Sequence, residues 1–154
     1  MRKIIVLTLM AILLTGCSKN VDKTNQIANP WTDCETLEEA ETKAGFNMEA
    51  PTTIGEYKQT IIQNLDNEII QVFYEKENSE KSILIRKGVG TEDISGDYNE
   101  YDEINVKFGD VAITEKGTNG IVYLATWNNE NYSYSLYTDG IEIENIDEVI
   151  TQIK

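Results

Sequence analysis

The chain has 154 residues, a net charge of −14 and no histidine. Its acids are spread along the chain without a basic stripe, which argues against nucleic acid as a partner, because phosphate backbones are repelled by such a surface. Without histidine, neither a Ser-His-Asp triad nor a Cys-His pair can form. One free thiolate at Cys34 cannot build an ordinary zinc site, so we predict no metal and no cofactor.

The first 17 residues predict an export signal followed by a lipidation site. Arg2 and Lys3 precede an apolar run over residues 4–14, which is shorter than the roughly 20 residues of a membrane-spanning helix. The run ends in LTGC, which resembles the lipobox of bacterial lipoproteins. This resemblance implies cleavage after residue 16 and a lipid on Cys17 that anchors the protein to the extracytoplasmic face of the cell membrane. The alternatives are an ordinary secretory signal with a chance cysteine, or a cytosolic chain with an apolar start.

The rest of the chain divides into a tether and one domain. Residues 17–28 are rich in Ser, Asn, Lys and Gln and show no apolar periodicity, which is typical of a flexible stalk. Residues 29–154 are long enough for a single domain with its own core. Loss of two cations with residues 1–16, Arg2 and Lys3, changes the net charge from −14 to −16.

A short helix is predicted at the start of the domain. Thr36 and Glu39 have the spacing of a capping box, in which the hydroxyl accepts from the N3 amide and the carboxylate reaches back. The helix runs over Leu37–Ala44, and Gly45 suits the left-handed conformation that ends a helix. Cys34, just before it, is interpreted as a small packed side chain.

From residue 57 onward the pattern changes to short runs of Ile, Val, Tyr and Phe separated by Asn, Asp and Gly. Such runs predict an antiparallel β meander, in which neighbours in sequence are neighbours in the sheet. In one predicted hairpin, Val106, Phe108, Val111 and Ile113 alternate with polar residues, which predicts one wet face. The seven predicted strands cover residues 57–64, 68–75, 81–87, 104–108, 111–115, 121–127 and 132–137.

An amphipathic helix is predicted at the C-terminus, with Asn145 as its N-cap and Glu148 three residues later. Its apolar stripe, formed by Ile146, Val149, Ile150 and Ile153, is expected to pack on the sheet. The predicted fold class is therefore α+β: a curved antiparallel sheet of about six to seven strands with a short N-terminal helix and a C-terminal amphipathic helix.

One connection is too long for a tight hairpin. Residues 88–103 carry six acids, and a structureless stretch of this length in a compact domain is usually functional or disordered. Its alternating oxygens resemble the first half of a calcium loop, but Tyr98 and Ile104 occupy the positions that require glycine and glutamate. We interpret it as an acidic loop or a protein-contact edge, with calcium binding as the weaker alternative. The candidate binding residues are Asp93, Ser95, Asp97, Tyr98, Asn99 and Tyr101.

Four stretches resemble a known family. They read, in chain order, NPW, TLEEAETKAGF, LIRKGVGTEDISGDYNEY and YLATWNNENYSYSLY. Together they are similar to the bacterial extracytoplasmic family catalogued as domain of unknown function 4367, over about residues 29–154. The resemblance implies a lipoprotein or an outward domain of a membrane protein, found mainly in Gram-positive bacteria, with a binding or sensing role that is sometimes linked to anti-sigma regulators. It implies no reaction and no catalytic residues.

These observations leave three classes of function. The first is a non-catalytic binding or regulatory module that presents residues 88–103, together with Tyr132, Tyr134 and Trp127, to an envelope protein or the cell wall. Packing of these aromatics across the strands on the outer face of the sheet is the structural alternative. The second class is a hydrolase with paired carboxylates, which needs one acid with a raised pKa in an apolar cleft. The third is a carrier of a lipid or small ligand on the concave face of the sheet.

Overall fold

The computed structural model describes residues 29–154, which form one nine-stranded sheet with two short helices. The predicted signal, Cys17 and the tether lie outside these residues. The α+β class is confirmed in broad terms, whereas the predicted six to seven strands are corrected to nine. The helices are α1 (Leu37–Ala44) and α2 (Ile146–Thr151), and the strands are β1 (Thr32–Cys34), β2 (Thr53–Ile54), β3 (Tyr57–Leu65), β4 (Ile69–Glu75), β5 (Ser82–Val89), β6 (Glu103–Phe108), β7 (Ala112–Thr118), β8 (Ile121–Asn129) and β9 (Tyr132–Tyr137).

The two additional strands lie at one edge of the sheet. Strands β1 and β2 have three and two residues, and both pair with β3. A segment of this length is too short to show an alternating pattern, and its pairing is decided by the neighbouring strand. No helix among residues 29–154 has the length and apolar character needed to cross a membrane.

The strand order is not a simple meander. It runs β1-β3-β4-β5-β9-β8-β7-β6, with every pair antiparallel. The predicted order of sequential neighbours is wrong at one position, because β9 lies between β5 and β8. Strand β5 needs an apolar neighbour on each side, since Ile83 and Ile85 are fully buried. Strand β9 supplies this neighbour through Leu136, which is opposite Ile85 and is itself fully buried.

One face of the sheet, which we call the helix-bearing face, carries the core. One row of residues in register on this face is Ile62, Val72, Ile85, Leu136 and Ala125. Each large aliphatic side chain that is fully buried stabilises the fold by about 1.5–3 kcal/mol. The residues that cover this face from the helices and the segments beside them are Ala40, Ala44, Phe46, Met48, Ile150 and Ile153.

The opposite face is mixed in composition, and we call it the polar face after one of its rows. One residue from each of eight strands forms a row in register across it, and only the last is apolar. Hydrogen bonds join the first four members: Gln63 donates to Asp33 at 2.7 Å, Gln71 donates to Gln63 at 2.5 Å, and Arg86 donates to Gln71 at 2.9 Å. The row consists of Asp33, Gln63, Gln71, Arg86, Ser135, Thr126, Thr114 and Val106.

The register of the β6–β7 hairpin places its apolar residues on both faces of the sheet. Val106 pairs with Thr114 and Lys107 with Ile113, so Val106 and Ile113 point to opposite faces. Ile113 packs against the core, whereas Val106 and Phe108 are exposed on the polar face. One face of the hairpin is exposed, as predicted, but Val106 and Phe108 lie on it, because the turn length sets a register that the alternation of each strand alone does not reveal.

The two predicted helix caps have different outcomes. At α1, Thr36 accepts from the amide of Glu39 at 3.1 Å, and Gly45 has a φ of 79°. The Glu39 carboxylate accepts from the amide of Glu35, one residue before the cap, so the capping box forms only in part. At α2, Asn145 makes no side-chain cap hydrogen bond, and the predicted capping box is wrong there.

Candidate functional site

The connection between β5 and β6 crosses the polar face. The two strands run parallel to each other and are separated by β9, β8 and β7 in the sheet. Residues 90–102 must therefore pass from one end of the sheet to the other, over the three intervening strands. We call these residues the crossing loop. It contains all six of the binding residues predicted from the sequence.

Arg86 fixes the middle of the crossing loop. Its Nη1 donates to the carbonyls of Ile94 and Ser95 at 2.9 and 2.6 Å, while its Nε donates to Gln71. The guanidinium carbon also lies 5.4 Å from the ring centroid of Trp31, a cation–π contact. Burial lowers the pKa of Arg86, which remains cationic because an arginine pKa starts far above neutrality. The sequence-based interpretation missed this residue, although its position in an otherwise apolar strand was a usable signal.

Two further side chains hold the beginning of the crossing loop. Ser133 donates to the carbonyl of Gly90 at 2.9 Å, and Asn128 donates to the carbonyl of Thr91 at 3.2 Å. Both come from strands that the loop crosses. Because three different strands bind its backbone between residues 90 and 95, the first half of the loop is docked on the sheet.

The predicted oxygen ligands are used within the crossing loop. Asp93 accepts from the amide of Ser95, Ser95 accepts from the amide of Asp97, and Asp97 accepts from the amide of Asn99, at 2.8, 3.3 and 3.1 Å. The alternation that resembles a calcium loop thus builds three successive side-chain-capped turns. No group of three or more Asp, Glu, Cys or His side chains in residues 29–154 is arranged to hold a metal ion.

The two tyrosines of the crossing loop have opposite environments. The Tyr101 hydroxyl donates to Asp97 at 2.5 Å, and its ring centroid is 5.7 Å from that of Tyr123. Burial raises the pKa of Tyr101, and the hydrogen bond and negative charge of Asp97 raise it further. Tyr98, in contrast, is 95% exposed. Only Tyr98 therefore offers most of its ring to a partner.

A groove of about 360 Å³ lies beside the loop on the polar face. Residues 91–94 line one side, and Ala112, Thr114 and Thr126 contribute to the sheet side. Exposed side chains of β6 lie on the same face as this groove, in register with its floor: Val106 is opposite Thr114. The polar face thus combines a groove with exposed apolar side chains on β6 and on the loop.

Three aromatic residues of β8 and β9, Trp127, Tyr132 and Tyr134, point their rings away from the polar face. Trp127 and Tyr134 are 6% and 4% exposed, and their rings stack with centroids 5.3 Å apart. Tyr132 is half-buried, with its ring centroid 4.5 Å from the ammonium nitrogen of Lys87. The expectation that Trp127 and Tyr134 are exposed is wrong. These aromatics pack across the strands, but on the helix-bearing face and not on the outer face of the sheet, where the alternative placed them.

One carboxylate is buried among residues 29–154, that of Glu115. It lies 2.8 Å from the ammonium of Lys107, which also binds Asp147 of α2 at 2.7 Å. Burial alone would lower the pKa of Lys107, but the hydrogen bonds to Asp147 and Glu115 outweigh burial and raise it. Glu115 is therefore held in an ion-paired cluster, an environment opposite to that of a general acid kept neutral by an apolar pocket.

A separate open cleft of about 460 Å³ lies between the β2–β3 turn and the segment that leads into α2. Ile54, Ile83 and Val149 contribute apolar surface. Four glutamates line it as well, which makes the cleft unfavourable for anionic lipid headgroups. These are Glu56, Glu142, Glu144 and Glu148.

Comparison of the chain with family models, curated proteins and solved structures gives no match. The resemblance to the family of unknown function 4367 consequently remains a hypothesis drawn from the residues alone. The fold and the contacts described above are the basis for a functional proposal.

Proposed function

We propose that this chain is a membrane-anchored extracytoplasmic lipoprotein whose folded part is a non-catalytic binding or regulatory module. The anchor is a lipid on Cys17, supported by the charge, apolar length and LTGC sequence of residues 2–17. The module contacts an envelope protein or the cell wall through its crossing loop. The resemblance to the outward-facing bacterial family supports the same location.

The observation that carries the binding proposal is the exposure of Tyr98 on a loop whose first half is fixed to the sheet. The ring is 95% exposed, while Arg86, Ser133 and Asn128 hold the loop backbone to three strands. An exposed aromatic side chain on a fixed backbone loses little entropy on binding and offers a large apolar area with a polar end. This combination suits contact with a protein or a glycan.

The alternative of an envelope hydrolase has less support. The buried carboxylate of Glu115 is paired with Lys107, and the acids of the crossing loop cap turns in a solvated setting. The carrier alternative has less support as well, because packed side chains fill the helix-bearing face and the cleft at its end has glutamates on its rim.

Photo-crosslinking on intact cells tests the proposal. A photoreactive amino acid at position 98 is expected to capture one discrete partner, whereas the same group at Val89, which is 56% exposed outside the crossing loop, should not capture it. A second photoreactive probe, placed at Glu92, reports on binding when Tyr98 is replaced by Ala. This replacement should lower the yield of the crosslink from position 92 to the partner by about tenfold, since a central aromatic contact contributes on the order of 1–2 kcal/mol to the binding free energy. Equal capture at positions 98 and 89 would contradict the contact proposal.

The anchor is tested in the same cells. Cys17→Ala should move the protein from the membrane to the soluble fraction, because the lipid chains that hold it cannot be attached. Cys34→Ala is the matched control, since this half-buried thiol lies within the domain and its loss should leave the location unchanged. Retention of Cys17→Ala at the membrane would refute the anchor.

A further inference from the structure

The two edges of the sheet are built differently. At one edge, β1 and β2 divide the outer side of β3 between them with three and two residues. At the other edge, the six residues of β6 have β7 on one side, and nothing in residues 29–154 pairs with the other side. A long open edge presents unpaired amides and carbonyls, which form a template for another strand.

The open edge also carries a continuous apolar row. Ile104, Val106 and Phe108 point to the polar face and are 63%, 48% and 86% exposed. The cation of this strand, Lys107, points to the opposite face, where Glu115 and Asp147 bind it. No charged side chain of β6 therefore lies between the members of the row, although interspersed charge is a common protection of edge strands.

We propose that β6 pairs in antiparallel fashion with β6 of a second copy of this chain. The two-fold axis that relates the two strands passes between the two Val106 residues. In this register Ile104 lies opposite the partner's Phe108, Val106 lies opposite the partner's Val106, and Asn105 lies opposite the partner's Lys107. Pairs of an aromatic with a β-branched residue are among the favourable cross-strand pairs of antiparallel sheets. The two sheets become one continuous sheet, with both polar faces on the same side.

The sequence of the strand favours a second copy over an unrelated strand. Residues 104–108 read apolar, polar, apolar, polar, apolar, a pattern that is symmetric about Val106. A two-fold interface requires such self-complementarity, and a contact with a different protein does not. A register shifted by one residue would place Ile104 opposite Lys107, and a centre on Asn105 would leave Phe108 without an apolar partner. Only the centre at Val106 covers all three apolar side chains.

Charge and area make the expected dimer weak. Each copy carries a net charge of −14, or −16 without residues 1–16, so the two copies repel each other. Salt at physiological ionic strength shortens the range of this repulsion to about 8 Å. An interface of one strand from each copy is at the small end of stable interfaces. Confinement of both copies to one membrane would raise their effective concentration; this step alone depends on the proposed anchor.

Cysteine crosslinking of the full chain, in a Cys34→Ser background, tests the pairing and its register. With Val106→Cys, the two thiols lie directly opposite each other, and mild oxidation should give a disulfide-linked dimer. With Ile104→Cys alone, the two thiols are four residues apart along the strands, about 13 Å, which exceeds the reach of a disulfide. Mixing Ile104→Cys with Phe108→Cys should restore the crosslink in the mixed dimer.

The matched control is Ile61→Cys, an exposed residue of β3 on the same polar face but at the far side of the sheet. It should give the background of random collisions, and the Val106→Cys yield should exceed that background at least fivefold. Equal yields from positions 61 and 106, efficient crosslinking of Ile104→Cys alone, or a Val106→Cys crosslink to a different protein would each overturn the proposal. Because the experiment does not need Cys17 or Tyr98, its failure would leave the proposed function untouched.

Discussion

Arg86 and Lys87 are consecutive residues of β5 whose cationic side chains enter opposite faces of the sheet. Neither has a carboxylate within 4 Å among residues 29–154. Burial lowers the pKa of both. Hydrogen bonds to carbonyl and amide oxygens replace the lost hydration of the Arg86 guanidinium. Lys87 donates to the carbonyl of Asn47 and lies beside aromatic rings. Each cation therefore ties a distant segment to the sheet by hydrogen bonds instead of ion pairs.

Replacement of Arg86 tests its role in holding the crossing loop. Arg86→Met should lower the free energy of unfolding by about 2–3 kcal/mol, because it leaves the carbonyls of Ile94 and Ser95 without their donor. Hydrogen exchange of the amides in residues 91–97 should become faster by a larger factor than exchange in β4. Arg86→Lys is the control, since it keeps the charge without the planar fork and should lose part of the stability. Unchanged exchange in Arg86→Met would show that the loop is held by other contacts.

At the scale of secondary structure, local signals predict those elements whose own residues decide them. α1 has the predicted bounds, since Thr36 and Gly45 supply a start and a stop within the segment. The seven longer strands were recognisable from their alternation and their turn residues. The place of β9 was not, because its pairing with β5 depends on residues about fifty positions apart. The same limit applies to the register of β6 and β7, which the turn between them determines.

The different outcomes at the two helix starts provide a paired test. Thr36→Ala should lower the free energy of unfolding by about 1 kcal/mol, because the amide of Glu39 loses its acceptor. Asn145→Ala should change it by less than about 0.5 kcal/mol, since Asn145 makes no side-chain cap hydrogen bond. Urea denaturation of both variants gives the comparison. A loss in Asn145→Ala as large as that in Thr36→Ala would mean that the cap of α2 forms in solution.

At the scale of the whole molecule, the sheet separates stability from recognition. Its helix-bearing face is filled by the core, and its polar face carries the crossing loop and the exposed row of β6. The loop could be selected from the sequence by its length and its tyrosines. Its geometry could not, because Ser133 and Asn128, which hold it, are about 40 residues away along the chain. Only the strand order brings them under the loop.

The high net charge should make the stability of the whole fold depend on salt. Because the net charge is −14, the charged groups of the folded state repel one another over a long range at 10 mM NaCl. This repulsion is much weaker at 150 mM NaCl, where the screening length falls to about 8 Å. We expect the free energy of unfolding to rise by about 1 kcal/mol, which corresponds to roughly 3 °C in Tm for a chain of this size. A variant with Glu92→Gln, Asp110→Asn and Glu130→Gln removes three exposed charges, giving −11. Thermal unfolding should show that this variant has a higher Tm than the unsubstituted chain at low salt and that its Tm depends less on NaCl. A salt response equal to or larger than that of the unsubstituted chain would show that local ion pairs, and not net charge, determine the effect.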